Sequence, residues 1–143
     1  MTQETNKELT RRFFEGFSAG DISVINELVS PDLIDHTTEV PDGVSAFEML
    51  TGNVSMLKGA VPDVKFVVTD IVAEGSKIAV FTTMTGTHEG ELMGLPATGN
   101  AISVNSVDFF RFEDGQIVER WGVEDNLDLM TQLGAIPPMT ESE

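Results

Sequence analysis

Hydrophobic positions in the first third of the chain recur at helical spacing. Thr5-Asn6-Lys7-Glu8 matches a capping box, and Leu9, Phe13 and Phe17 follow on one face with Phe14 widening the stripe. Gly20 is a natural helix stop, and Asp21 is a natural cap for a second helix carrying Ile22, Ile25, Leu28 and Val29, which Pro31 ends. Asp32-Leu33-Ile34-Asp35-His36 is short enough for only a brief strand or turn. After the loop residues Pro41-Asp42-Gly43, Ser45-Ala46-Phe47-Glu48 forms another capping box. The third helix then carries Phe47, Leu50, Val54 and Leu57 on one face and stops near Gly59.

From Val64 the period changes from 3.6 to 2. Val64–Ala73, Lys77–Thr87, Asn100–Phe112 and Gln116–Asp125 are rich in Val, Ile, Phe and Thr and read as strands. Glu74-Gly75-Ser76 joins the first two and Glu113-Asp114-Gly115 the last two, so both pairs are expected to be antiparallel hairpins. The segment from His88 to Gly99, with its Gly and Pro content, is a loop, and a last helix runs from Asn126 to Leu133. Helices followed by strands define an α+β fold: helices on one face of a curved antiparallel sheet, leaving a concave pocket.

Candidate chemistry gathers on the last strand. Alternation gives Ile117, Glu119, Trp121, Val123 and Asp125 one common side, and the apolar members make it the buried side. A carboxylate there, beside the only tryptophan, is a candidate general acid or base. Asp125 also reads as an N-cap for the helix that follows, and a residue at the end of a core strand can do both. With a two-residue turn at Asp114-Gly115, counting back sets Phe112 opposite Ile117, Phe110 opposite Glu119, Asp108 opposite Trp121, Ser106 opposite Val123 and Val104 opposite Asp125. Asp108 and Ser106 then share the inner face, whereas a three-residue turn with a glycine bulge turns Asp108 outward. His36 and His88 read either as satisfied structural histidines or as the near-neutral titrating groups of a proton transfer.

Composition narrows the field. The chain has 143 residues, 41% of them hydrophobic, enough for one domain with a real core. Eight Lys and Arg against 24 Asp and Glu give a net charge of −16, which repels phosphate backbones and anionic lipid. Cysteine is absent, which removes disulfides, thiolate catalysis and Cys-based zinc sites. No calcium-loop pattern appears, and two distant histidines do not suggest a structural zinc site. With no visible signal peptide and no run of about 18 apolar residues, a cytoplasmic location is expected, without nucleic acid or membrane as partner.

Taken in order, Arg12-Phe13-Phe14 with Ala19-Gly20-Asp21, Asp32 to His36, Met84 to Gly90, Met93 to Gly99, Asp108 to Phe112 with Asp114 to Ile117, and Trp121 to Asp125 with Gln132-Leu133-Gly134 span almost the whole chain. This series resembles the SnoaL-like polyketide cyclases (ester cyclases) of the NTF2-like superfamily. The resemblance implies a cone-shaped α+β fold over residues 1–136, frequent homodimers and a deep apolar pocket; the terminal residues 137–143 are by themselves expected to form a mobile tail. It implies intramolecular aldol closure of an aromatic polyketide ester without metal or organic cofactor. Asp125 matches the family's proton-moving aspartate, and His36 and His88 match its pocket histidines. Ser106, a histidine or the Trp121 ring nitrogen is then the candidate holder of an enolate oxygen. The cavity is expected to be lined by Phe13 or Phe14, Phe47, Met84, Trp121 and Asp125, with His36 at its edge. Related ketosteroid isomerases use a tyrosine that this chain lacks. Related epoxide hydrolases use an arginine between two aspartates, and the counted register, with Arg111 and Arg120 outward, argues against such a triad here. A non-catalytic module holding a hydrophobic small molecule is the competing reading.

Overall fold

The computed structural model describes residues 2–137. Helix α1 (Gln3–Ala19) begins one turn earlier than its pattern suggests: Thr2, not Thr5, is the cap, its hydroxyl accepting from the Thr5 N–H. Gly20 closes it in the left-handed conformation, φ 69°, where a side chain is strained. Asp21 then caps α2 (Ile22–Leu28) through the N–H groups of Ser23 and Val24. Helix α3 (Ala46–Ala60) opens with the full reciprocal capping box of Ser45 and Glu48.

The strands are β1 (Val29–Asp35), β2 (Lys65–Glu74), β3 (Lys77–Thr87), β4 (Ala101–Glu113) and β5 (Gln116–Glu124), followed by helix α4 (Asn126–Gln132). They form one sheet in the order β1-β5-β4-β3-β2. The segment around Pro31 is a full edge strand, paired parallel to β5 with Asp35 opposite Arg120. Pro31 is tolerated because it lies on the sheet's edge, where its missing N–H breaks no internal ladder. The tail expected at 137–143 lies, from residue 138 onward, outside the described residues.

One irregularity decides which side chains face the helices. Asp114 and Gly115 both have positive φ (50° and 81°), a two-residue turn that pairs Glu113 with Gln116 and Phe112 with Ile117, as counted. Beyond that the register shifts. Arg111 pairs with Glu119, Phe110 with Arg120, Phe109 with Trp121, Asp108 with Gly122, Val107 with Val123 and Ser106 with Glu124. Val118 is the extra residue of a β-bulge, and an extra residue reverses the facing of everything after it. Asp108 and Ser106 keep the inner face, because the bulge lies on the opposite strand. Trp121 moves to the outer face and Arg120 to the inner one, the reverse of the simple count.

Two apolar clusters fill the concave side. Phe13, Phe14, Ile25, Leu28, Val54, Val80, Phe110, Phe112 and Ile117 form one between the first helices and the closed end of the sheet. Phe13 meets Phe14 and Phe110 edge-on, with ring centroids 5.0 and 5.4 Å apart. Ala60, Val61, Val64, Met84, Ile102, Val104, Leu129 and Leu133 form the other, under α4.

Candidate active site

Between the two clusters is a cavity of about 310 Å3. Its walls are mostly apolar: Phe13, Phe14 and Phe17 from α1, Met49, Leu50 and Leu57 from α3, Phe66 and Met84 from the sheet, and Leu92 and Met93 from the loop after β3. Its polar groups are Asp35, Thr82, Ser106, Asp108, Arg120 and Glu124 from the sheet, Thr38 from the segment after β1, Asn53 from α3 and Asn126 from α4.

The centre of that polar group is Arg120, held between two carboxylates. Its Nη1 donates to Asp35 Oδ2 at 2.9 Å and to Thr38 Oγ1 at 3.2 Å. Its Nε donates to Asp108 Oδ1 at 2.9 Å, and Nη2 lies 2.8 Å from the same oxygen. The Asp35 and Asp108 side chains are each only 8% exposed. Asp35 is fixed further by the backbone N–H groups of Thr37 and Thr38, both donating to its Oδ1. Thr37 accepts the Gly122 N–H at 2.7 Å, which ties the segment after β1 to the strand carrying Arg120. Gly122, opposite Asp108, has a structural reason to lack a side chain. A Cβ there would lie 2.3 Å from Arg120 Nη2 and 2.4 Å from Asp108 Oδ1, inside the ion pair.

The two carboxyls are driven apart in acidity although they share one guanidinium. Burial pushes Asp108 up, with help from the Glu124 and Asp35 charges, and outweighs the opposing attraction of Arg120. Burial acts upward on Asp35 too, but the Thr37 and Thr38 N–H donors and Arg120 outweigh it and hold this carboxyl below its ordinary value. Arg120 is held firmly cationic: burial works against its charge, and Asp108 and Asp35 overcome it. Oδ1 of Asp108 takes both guanidinium contacts, leaving Oδ2 without a protein donor among the described residues. A carboxyl with a raised pKa and a free oxygen in an apolar cavity can both take and return a proton.

The expected site residues divide accordingly. Phe13, Phe14, Met84, Ser106 and Asp108 line the cavity. Phe47 does not; it packs, partly buried, against the first core cluster. Trp121 is on the outer face, stacked on His36 with centroids 4.7 Å apart and with Lys77 Nζ 5.1 Å from its ring. His36 binds Glu119 through Nε2 at 2.6 Å, so it too belongs to the outer face rather than the cavity edge. His88 is fully buried away from the cavity, its Nδ1 accepting from the Thr98 backbone N–H and 2.9 Å from the Thr98 hydroxyl, where it closes the loop back on β4. Asp125 is exposed and caps α4 by accepting the Asp128 N–H, with its own N–H bonded to Asn105 O.

The sequence reading missed Asp35, Arg120 and Thr82. Asp35 had a local signal, since Asp followed by Thr37-Thr38 suits side-chain-to-backbone turns. Gly122 in the middle of a strand pattern signalled close approach.

The family profile of the SnoaL-like polyketide cyclases matches residues 7–133, and the chain belongs to that family. It is 29% identical over 140 residues to the aklanonic acid methyl ester cyclase DauD of Streptomyces sp. (strain C5), covering 94% of this chain and 84% of that one. Against the aklanonic acid methyl ester cyclase DnrD of Streptomyces peucetius the identity is 27%, covering 96% of each chain. Among solved structures it is similar to AclR from Streptomyces galilaeus, with TM-score 0.86 and 31% identity over 98% of this chain and 87% of that one. This is the NTF2-like fold.

The lowered pKa of Asp35 gives a signed expectation. Its folded value lies below the unfolded one, so its stabilisation is fully present above the ordinary carboxylate range and is lost as pH falls through the folded value. Asp35→Asn should cost about 3 kcal/mol or more at pH 7, the scale for breaking a buried pair, and the gap from the parent should narrow in acid. Urea melts of both proteins across a pH series measure it; a gap independent of pH contradicts the assignment.

Proposed function

We propose that this protein is an acid/base enzyme needing no cofactor, which closes a ring in a hydrophobic, carbonyl-containing small molecule by an intramolecular aldol reaction. Asp108 is its proton carrier. The supporting observation is the buried Asp108 carboxyl, raised in pKa and oriented by Arg120, on the inner sheet face of a cavity whose walls are mostly apolar. An aldol closure is proton-neutral. The carboxylate removes a proton from the carbon next to a carbonyl, that carbon bonds to a second carbonyl carbon, and the new alkoxide takes the proton back. One carboxyl can therefore serve both halves if its pKa lies between those of an ordinary carboxylate and neutral water. The names of the two curated relatives, both aklanonic acid methyl ester cyclases, support an aromatic polyketide ester as the substrate class.

The pairing of Arg120 with two aspartates favours a second reading, because related epoxide hydrolases use an arginine between aspartates. In that case Asp35 or Asp108 takes a proton from a water that opens an epoxide. The two reactions differ in mass: ring closure is an isomerisation, whereas epoxide opening adds a water.

Aklanonic acid methyl ester is the first compound to test, with the product mass read in ordinary and oxygen-18 water. An isomer without label supports the aldol reading, and Asp108→Asn should then lower kcat at least about a hundredfold. Asp125→Asn, which keeps the cap, should leave kcat unchanged. A dead Asp125→Asn with an active Asp108→Asn reverses the assignment. If the parent binds aromatic ketones yet turns none over, the chain is a binding module.

The active unit is a homodimer in this reading. Val72, Phe81, Val107, Phe109 and Val123 are exposed together on the outer sheet face, in register across neighbouring strands. Such a patch is unusual for a free monomer and suits a second copy of the same face. Sedimentation at micromolar concentration should give a dimer, and Phe109→Glu a monomer; a monomeric parent removes the proposal.

A further inference from the structure

Thr82 is the one polar side chain in the inner row of β3. Its neighbours on that face are Ile78, Val80 and Met84, all buried and all apolar. Thr82 is only 1% exposed, lines the cavity, and its hydroxyl has no hydrogen-bond partner among the described residues. A buried hydroxyl that makes no bond costs free energy, and valine would fill the same volume on a strand without that cost. Ser106 lies directly opposite on β4, faces the same cavity, and is two residues from Asp108 on the same face.

We infer that the Thr82 hydroxyl, beside that of Ser106, is the subsite for a substrate oxygen: it donates to the carbonyl oxygen attached to the carbon that Asp108 deprotonates. This rests on the acid/base reading above and adds to it the group that receives the developing enolate charge. The spacing suits one carbonyl unit. Thr82 and Asp108 are diagonal neighbours across β3 and β4, a relation that sets side chains about 7–8 Å apart. A reacting carbon sits about 3 Å from the carboxylate, its carbonyl oxygen extends roughly 2.4 Å further, and a hydrogen bond adds about 2.8 Å. With a slight bend these lengths cover the gap, and a second carbonyl unit would overshoot it. The hydroxyl is uncharged, so its burial costs less than that of a charged donor, and its bond strengthens as negative charge appears on the oxygen.

The test is a matched pair of rigid aromatic probes, fluorenone, which has the carbonyl, and fluorene, which lacks it. The parent should bind fluorenone about tenfold more tightly than fluorene. Thr82→Val should remove that preference through weaker fluorenone binding while holding fluorene unchanged, and Thr82→Ser should retain it. The melting temperature of Thr82→Val should be equal to or above the parent's, because no bond of the resting protein is lost. Where aklanonic acid methyl ester is turned over, Thr82→Val should lower kcat more than it raises KM. The inference is overturned if Thr82→Val keeps the fluorenone preference, if the parent has none, or if the valine variant melts well below the parent. Probe binding needs no turnover, so an inactive parent bears on the acid/base reading alone, and a lost subsite leaves the Asp108 assignment intact.

Discussion

A guanidinium buried in an apolar cavity must be matched by charge, and the geometry of this site follows from how Arg120 is matched. Asp35 comes to it from the edge strand, Asp108 from the central strand opposite, and Thr38 from the segment just after β1. Removing either aspartate leaves the guanidinium with a single charged partner in a medium that solvates it poorly, and removing Thr38 leaves one of its N–H groups without an acceptor. The parallel pairing of β1 with β5 sets Asp35 level with Arg120, and the glycine at position 122 leaves room for the guanidinium against Asp108. Edge strand, bulge and glycine are thus parts of one arrangement.

The consequence for chemistry is asymmetry. Two carboxyls on one arginine would be alike in a symmetric setting, but only Asp35 has backbone N–H donors, and Asp108 carries the larger burden of burial. One is anchored as a carboxylate and the other is left ready to hold a proton, a division that acid/base sites use widely. The apolar walls of Phe13, Phe14, Phe110 and Leu129 maintain the low dielectric on which it depends.

Much of this was legible in the sequence. The helix caps at Asp21 and Ser45, the stop at Gly20, the change of period at Val64 and the tight turn at Asp114-Gly115 are local signals with local causes, and the fold class follows from their order. Asp108 and Ser106 came out on the inner face because they are counted along a regular strand from a well-marked turn. The bulge at Val118 was not legible: a valine in Gln116-Ile117-Val118-Glu119 is ordinary strand sequence, and no Gly or Pro marks the extra residue. One unmarked residue was enough to exchange Trp121 with Arg120. Trp121 is accommodated outside because His36 and Lys77 cover its ring there, a tertiary arrangement with no trace in strand periodicity. Asp125, singled out by strand alternation and by the family resemblance, caps α4 from an exposed position, as its place before the helix also suggested.

The central claim is that Arg120 divides two buried carboxyls into a fixed anion and a proton carrier. Carbon-13 NMR titration of aspartate-labelled protein reads it directly, with Asp35→Asn and Asp108→Asn assigning the two resonances. The account predicts that the Asp108 carboxyl titrates above the ordinary aspartate range and the Asp35 carboxyl below it. Two carboxyls titrating together, or Asp108 titrating below Asp35, would contradict it.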